Sequence, residues 1–161
     1  MKKNNKGFTL VELIVVLVIL AILAAILVPA LLGYIDKARA SQYEEEGHAI
    51  LTAIQGYETE QYAKNAAAPA AWDTTYMKPY VDAIVDPAVV TSVDIYTGTQ
   101  NGSNTRHKAF TVTGLDNLTF KSQDGKEIVI DFDGSAWSIV SIDGKAVSTG
   151  ASMPSYATKA Q

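Results

Sequence analysis

The longest run of apolar residues lies near the N-terminus, where positions 13–28 carry only apolar side chains. With its flanks this segment covers residues 8–32, about 37 Å as an α-helix, and it contains one charged residue, Glu12. The hydrocarbon core of a bilayer is about 30 Å thick. The pattern therefore predicts one helix long enough to cross a membrane.

Beyond this run the apolar residues are confined to one helical face. Tyr43, Ile50, Ile54 and Tyr57 form a stripe at the three- to four-residue spacing of an amphipathic helix, and Gly47 and Gln61 follow the same spacing. The opposite, solvated face is predicted to carry four acidic residues, Glu44, Glu45, Glu58 and Glu60. The spacing predicts that the helix runs from Phe8 to about Tyr62.

Shorter patterns follow. We predict a helix over 76–84, with Pro79 in its first turn, a strand over 89–97, and an exposed polar loop over 98–106. Farther along, apolar and polar residues alternate with a period of two, the pattern of half-buried strands. The alternating groups are Phe110 with Val112, Leu118 with Phe120, Ile128 with Ile130 and Phe132, and Trp137 with Ile139.

Three Asp-Gly pairs, beginning at Asp124, Asp133 and Asp143, separate these groups. Asp-Gly favours the type I′ turn of a tight hairpin. We therefore predict an antiparallel meander of four or five strands, with one face covering the 43–57 helix stripe. The fold class is α+β, a long N-terminal helix packed on a C-terminal antiparallel sheet.

The charges around the apolar run predict its orientation. Lys2, Lys3 and Lys6 precede it, and the next basic residue is Lys37. By the positive-inside rule the N-terminus stays cytoplasmic and the remainder is exported. A cleaved secretory signal is one alternative, although the run is long for it and contains Glu12. A plain signal anchor is another, which leaves Glu12 and Gly7 unexplained.

Glu12 is the chemically informative residue, because an ionisable group in lipid is costly unless paired and usually marks function. Its surroundings resemble the type IV pilin signature. Gly7 matches the glycine before the prepilin peptidase cut, and Phe8 the N-methylated first residue of the mature chain. Glu12 matches the glutamate at the fifth mature position, and Pro29 the proline of many family members. Ala21 departs from the pattern, since many members have glycine there.

The resemblance implies cleavage after Gly7, which creates an ammonium at Phe8 four residues before Glu12. In a staggered array, Glu12 would face the Phe8 ammonium of a neighbouring copy and fix the assembly register, a role for which buried polar groups are attested. The alternative is that Glu12 reaches the membrane interface. Pro29, with Gly33 one turn later, predicts either a kink or local melting of the helix during assembly.

The predicted organisation has five parts. They are a leader at 1–7, a membrane and filament-core half of the helix at 8–33, an amphipathic half at 34–62, a connecting region at 63–107, and an antiparallel sheet with the C-terminal tail at 108–161.

Composition limits the chemistry. Without the three leader lysines, ten basic and seventeen acidic residues leave a net charge of −7, which argues against nucleic-acid binding. The absence of cysteine excludes a disulfide staple. Calcium could use Asp124, Asp131, Asp133 and Asp143, but each Asp-Gly is explained as a turn. His48 and His107 stand outside any catalytic spacing. We therefore predict no enzyme activity, metal or cofactor.

The predicted function is a structural subunit of a type IV pilus. The precursor would sit in the cytoplasmic membrane, and the cleaved chain would polymerise helically with copies of itself into an extracellular filament for adhesion, motility or biofilm. Other implied partners are a prepilin peptidase and an assembly platform with its ATPase. The alternatives are a pseudopilin of a type II secretion or DNA-uptake system and, from another class, a signal-anchored extracytoplasmic binding domain.

Overall fold

The computed structural model describes residues 7–64, 72–85, 88–98, 112–148 and 157–159. The chain divides into two units, Met1–Arg39 and Ala40–Gln161. Several sequence expectations lie outside the described residues. These are the leader before Gly7, the polar loop beyond residue 98, His107 and Phe110.

The described part of the chain is α+β, as predicted. Its helices are α1 (Leu10–Ala63) and α2 (Met77–Ile84), and its strands are β1 (Val89–Gly98), β2 (Val112–Lys121), β3 (Glu127–Phe132), β4 (Trp137–Ile142), β5 (Lys145–Ala146) and β6 (Ala157–Lys159). One antiparallel sheet has the order β5-β4-β3-β2-β1-β6. β1 to β5 form an antiparallel meander, and the three-residue β6 adds an edge beside β1.

The first unit is helical from Leu10 onward, and its described residues, 7–39, form no buried core. Its large apolar side chains between Leu10 and Leu32 are all at least half exposed. α1 contains an 18-residue window of mean hydropathy 3.3, so by length and composition it can cross a membrane. Pro29 lies inside the helix.

The second unit has a hydrophobic core formed by the one-sided stripe of α1 and one face of the sheet. Tyr43, Ile50 and Ile54 are buried, together with Phe120 and Ile130 from the sheet. Burying a large apolar side chain contributes about 1.5–3 kcal/mol, so this face carries much of the stability of the unit. The predicted pairing of stripe and sheet is confirmed.

The three Asp-Gly pairs do not adopt the same turn. At the β4–β5 hairpin both central residues have positive φ, 49° for Asp143 and 72° for Gly144, as a type I′ turn requires. At the other two pairs only Gly125 and Gly134 have positive φ, within loops longer than two residues. The type I′ expectation is therefore correct for one pair and wrong for the others.

β2 corrects the prediction of separate strands around Val112 and Leu118, because one strand contains both. The irregularity is a bulge at Asn117, whose φ is 51°. The pairing of β2 with β3 shifts register there, and the Asn117 backbone N–H donates to Asp131 Oδ1 at 2.9 Å. The buried Asp131 carboxylate thus accepts a backbone hydrogen bond at the bulge, where the regular pairing of β2 with β3 is interrupted.

Two acidic residues of α1 are buried beside the core of the second unit. Glu58 is fully buried and Glu46 is 8% exposed. Both occupy helix positions next to the apolar stripe, and the core covers a wider arc of the helix than the stripe alone. The assignment of Glu58 to the solvated face is therefore wrong.

The sheet also begins earlier than the predicted boundary at 108. β1 lies within the predicted connecting region 63–107 and matches the predicted strand over 89–97. α2 matches the predicted short helix, with Pro79 in its first turn. Val90 of β1 donates its backbone N–H to Asp82 Oδ1 of α2 at 3.0 Å, which ties helix and strand together.

Candidate functional site

The predicted processing site lies in a short segment before the first helix. Gly7, Phe8 and Thr9 are not helical, and α1 begins at Leu10. The Phe8 side chain is 83% exposed. A peptidase needs an accessible, non-helical bond, and the Gly7–Phe8 bond meets this requirement.

Thr9 and Glu12 form a capping box at the start of α1. Glu12 Oε2 accepts a hydrogen bond from the Thr9 backbone N–H at 2.9 Å and from Thr9 Oγ1 at 2.7 Å. In return the Glu12 backbone N–H donates to Thr9 Oγ1 at 3.3 Å. These bonds satisfy amide groups that a helix start leaves without partners. They also hold a negative charge in the first turn, where the helix dipole favours it.

The capping box corrects the view of Glu12 as a residue without a partner inside its own chain. The threonine three residues before the glutamate is the sequence signal for this motif. The box engages only one oxygen. Within the described part of the chain, Glu12 Oε1 accepts no hydrogen bond, so one side of the carboxylate is open to an outside donor.

Pro29 and Gly33 lie within the unbroken helix α1. Pro29 has no N–H to donate to the Ala25 carbonyl, so one rung of the helical ladder is absent. A Cβ built on Gly33 meets no atom within 4 Å, so packing does not require glycine there. Kinking or melting of this segment during assembly stays a prediction.

The aspartates considered as calcium ligands each have a structural role. Asp124 Oδ2 accepts the Tyr43 hydroxyl at 2.8 Å, Asp143 accepts the Glu127 backbone N–H, and Asp133 accepts from Ser135 and Ala136. Among the residues that the structure describes, no group of three or more potential His, Cys, Asp or Glu ligands is gathered around one point.

Three carboxyl groups of the second unit, Ala40–Gln161, which we call the head, have shifted pKa values with identifiable causes. Burial opposes ionisation of Asp124, but hydrogen bonds from Tyr43 and the Lys126 backbone outweigh it and lower its pKa. Backbone amides of Ala136 and Ser135 lower the pKa of Asp133. Burial, with the nearby charges of Asp131 and Asp94, raises the pKa of Asp116. The shifts reflect turns and a crowded bulge.

Comparison with known proteins gives one family match, and it lies at the N-terminus. The prokaryotic N-terminal methylation motif matches residues 2–28. The chain therefore carries the class III signal that is the signature of type IV pilins and pseudopilins. No match was found to a curated protein or to a solved structure. Processing by a prepilin peptidase and membrane insertion of the apolar helix follow from this signal.

Proposed function

We propose that this chain is a major subunit of a type IV pilus, cleaved after Gly7 and polymerised into a helical filament on the cell surface. The observation that carries this proposal is the half-occupied carboxylate of Glu12, within a matched methylation motif. Its Oε2 is held by Thr9, and its Oε1 remains available to a cation.

The cation that suits this oxygen is created by processing. Cleavage after Gly7 converts the Phe8 amide into an ammonium at the positive end of the helix dipole. Both charges would otherwise stand in an apolar environment, where pairing offsets the cost of burial. The capping box already binds Glu12 within its own chain, so the neighbour's Phe8 ammonium can take Oε1 without breaking it.

The exposed apolar helix supports assembly. Side chains that are half exposed or more between Leu10 and Leu32 need a covering of lipid or of other helices. Copies that pack their helices together supply that covering outside the membrane. A head-to-tail interface of this kind does not close on itself and produces a filament.

The remaining partners follow from this role. They are the cytoplasmic membrane before assembly, a prepilin peptidase, and a platform protein with its ATPase; nucleic acid is not among them. The filament would serve adhesion, motility or biofilm formation. The role is structural, and the chain would act without catalysis or cofactor.

A pseudopilin of a secretion or DNA-uptake system is the second candidate, because the same motif marks both classes. The two differ in product. A major pilin forms long, abundant surface filaments, whereas a pseudopilin leaves no such fibres on the surface.

The decisive experiment expresses the chain with its processing system and examines both the N-terminus and the sheared fibres. Mass spectrometry should find methylated Phe8 as the first residue, and electron microscopy should find long filaments of this chain. A chain that retains residues 1–7 in mature material would support a signal-anchored binding domain instead. A processed chain without fibres would support the pseudopilin.

Glu12→Ala tests the pairing directly. The variant should insert and be cleaved, but its filament yield should fall at least tenfold, because no carboxylate remains for the neighbour's ammonium. Asp36→Ala is the matched control, since it removes an exposed carboxylate elsewhere on α1. Equal yields from both variants would contradict the pairing.

A further inference from the structure

A groove on the second unit lies between α1 and β4 and has a volume of about 580 Å³. Its walls include Glu44, Glu45, His48 and Thr52 from the helix and Trp137 from the first position of β4. All four helix residues are exposed, and Trp137 is half-buried. We call it the Trp137 groove.

The Trp137 ring is held in place from two sides. A Cβ on Gly47 would stand 3.0 Å from Trp137 Cζ3, so glycine lets the ring lie against the helix. Phe132 stacks on the ring with centroids 4.7 Å apart, and the His48 ring lies 6.4 Å away. The groove therefore has a fixed aromatic wall.

The groove is built to accept a cation. Glu44 and Glu45 make no hydrogen bond or ion pair with the described residues of their own chain. Two exposed carboxylates beside the Trp137 side chain give the groove a negative charge. Guanidinium suits such a site, because it bonds carboxylates with two parallel N–H groups and packs against aromatic side chains.

We propose that the Trp137 groove receives Arg39 from a second copy of this chain. This inference rests on the proposed function and names a second contact of the same filament. Arg39 is exposed, and it too makes no hydrogen bond or ion pair within the described residues. Glu44 and Glu45 follow it by five and six residues, whereas facing side chains on a helix are three or four apart. Its own helix therefore does not offer Arg39 these carboxylates.

The spacing of charges agrees with the pairing at the N-terminus. The Phe8 ammonium precedes Glu12 by four residues, and Arg39 precedes Glu44 by five. In both cases the cation stands on the N-terminal side of the carboxylate in the sequence, and between Arg39 and Glu44 the helical rise is about 8 Å. A neighbouring copy displaced along the helix by about this distance brings its Arg39 beside Glu44.

Charge exchange tests the proposal in the full chain. Arg39→Glu should reduce filament yield at least tenfold, and the double variant Glu44→Lys with Glu45→Lys should do the same. Combining all three changes should restore at least a third of the wild-type yield, because the charges again complement each other. Lys37→Glu is the matched control, since Lys37 lies about 160° around the helix from Arg39 and should assemble normally.

Cross-linking identifies the occupant. The chain has no cysteine, so Arg39→Cys with Glu45→Cys provides a background-free pair, and oxidised filaments should yield a ladder of covalent multimers. Lys37→Cys with Glu45→Cys should yield mainly monomer.

Two results would overturn this inference while leaving the proposed pilus function intact. One is that the wild type forms filaments but the triple variant does not recover its yield. The other is that Arg39→Glu and Lys37→Glu lose equal amounts of filament. Absence of wild-type filaments would overturn both proposals. Cleavage at Gly7 and membrane levels of each variant distinguish loss of assembly from loss of folding.

Discussion

The two units of this chain treat apolar side chains in opposite ways. In the first unit, Ile22 is 57% exposed in the middle of an apolar helix; in the second, Ile54 of the same helix is fully buried. The second unit covers its apolar surface with its own sheet. The described residues of the first unit have no such covering, so under the proposed function their apolar side chains would contact lipid or other copies. The proposal thus assigns stability and assembly to different parts of one helix.

The largest effect should come from replacing the same residue type in each unit. Ile54→Ala removes a fully buried side chain and should lower the free energy of unfolding of the head by about 2–5 kcal/mol. Ile22→Ala should leave it unchanged, because Ile22 is outside that core. Denaturant unfolding of the detergent-solubilised chain, followed by Trp fluorescence, measures both. A similar loss in Ile22→Ala would remove the distinction between the units.

A smaller effect concerns the hydrogen bond between the Tyr43 hydroxyl and Asp124. Tyr43→Phe should lower the free energy of unfolding by about 1 kcal/mol at neutral pH. The pKa of Asp124 is lowered in the folded state, so the stability that this carboxylate contributes is present above its unfolded pKa of about 3.9. It is lost as the pH falls through the lower folded pKa.

The difference between wild type and Tyr43→Phe should therefore shrink below pH 4. Unfolding measured at pH 7, 5 and 3 tests this dependence. A difference that is equal at all three values would show that the hydroxyl acts through packing alone. Tyr34→Phe, outside the head, is the control and should change nothing.

The smallest effect has the opposite sign. Burial and the neighbouring charges of Asp131 and Asp94 raise the pKa of Asp116, so its ionised form costs stability above the folded pKa. Asp116→Asn should stabilise the head by about 0.5 kcal/mol at pH 7. Below the unfolded pKa both states hold the proton, and the gain should vanish. Thermal unfolding at pH 7 and pH 3 measures it; destabilisation at pH 7 would show that the carboxylate is needed by the bulge.

The sequence predicted the secondary structure correctly in segments where the apolar residues follow a single helix or strand period. The apolar run, the 43–57 stripe and the strand alternation around Ile128 and Ile130 each indicate a single solution, and the structure has it. The patterns could not predict the burial of Glu58, because that depends on how far the sheet extends around the helix.

The bulge at Asn117 and the capping box at Thr9 were not predicted, for different reasons. The continuity of β2 depends on Asn117 adopting a positive φ and on a distant Asp131 oxygen, which no local pattern encodes. The capping box at Thr9 was encoded locally, by a threonine three residues before a glutamate.

The half-occupied carboxylate of Glu12 has a consequence for polymer chemistry. If neighbouring copies join through the Phe8 ammonium, each cleaved copy is a bifunctional monomer with one donor and one acceptor. A copy that retains residues 1–7 keeps the acceptor but has an uncharged amide in place of the donor. It can therefore join a chain but cannot extend it, and it acts as a terminator. The ratio of cleaved to uncleaved copies in the membrane would then set the length distribution of the filaments.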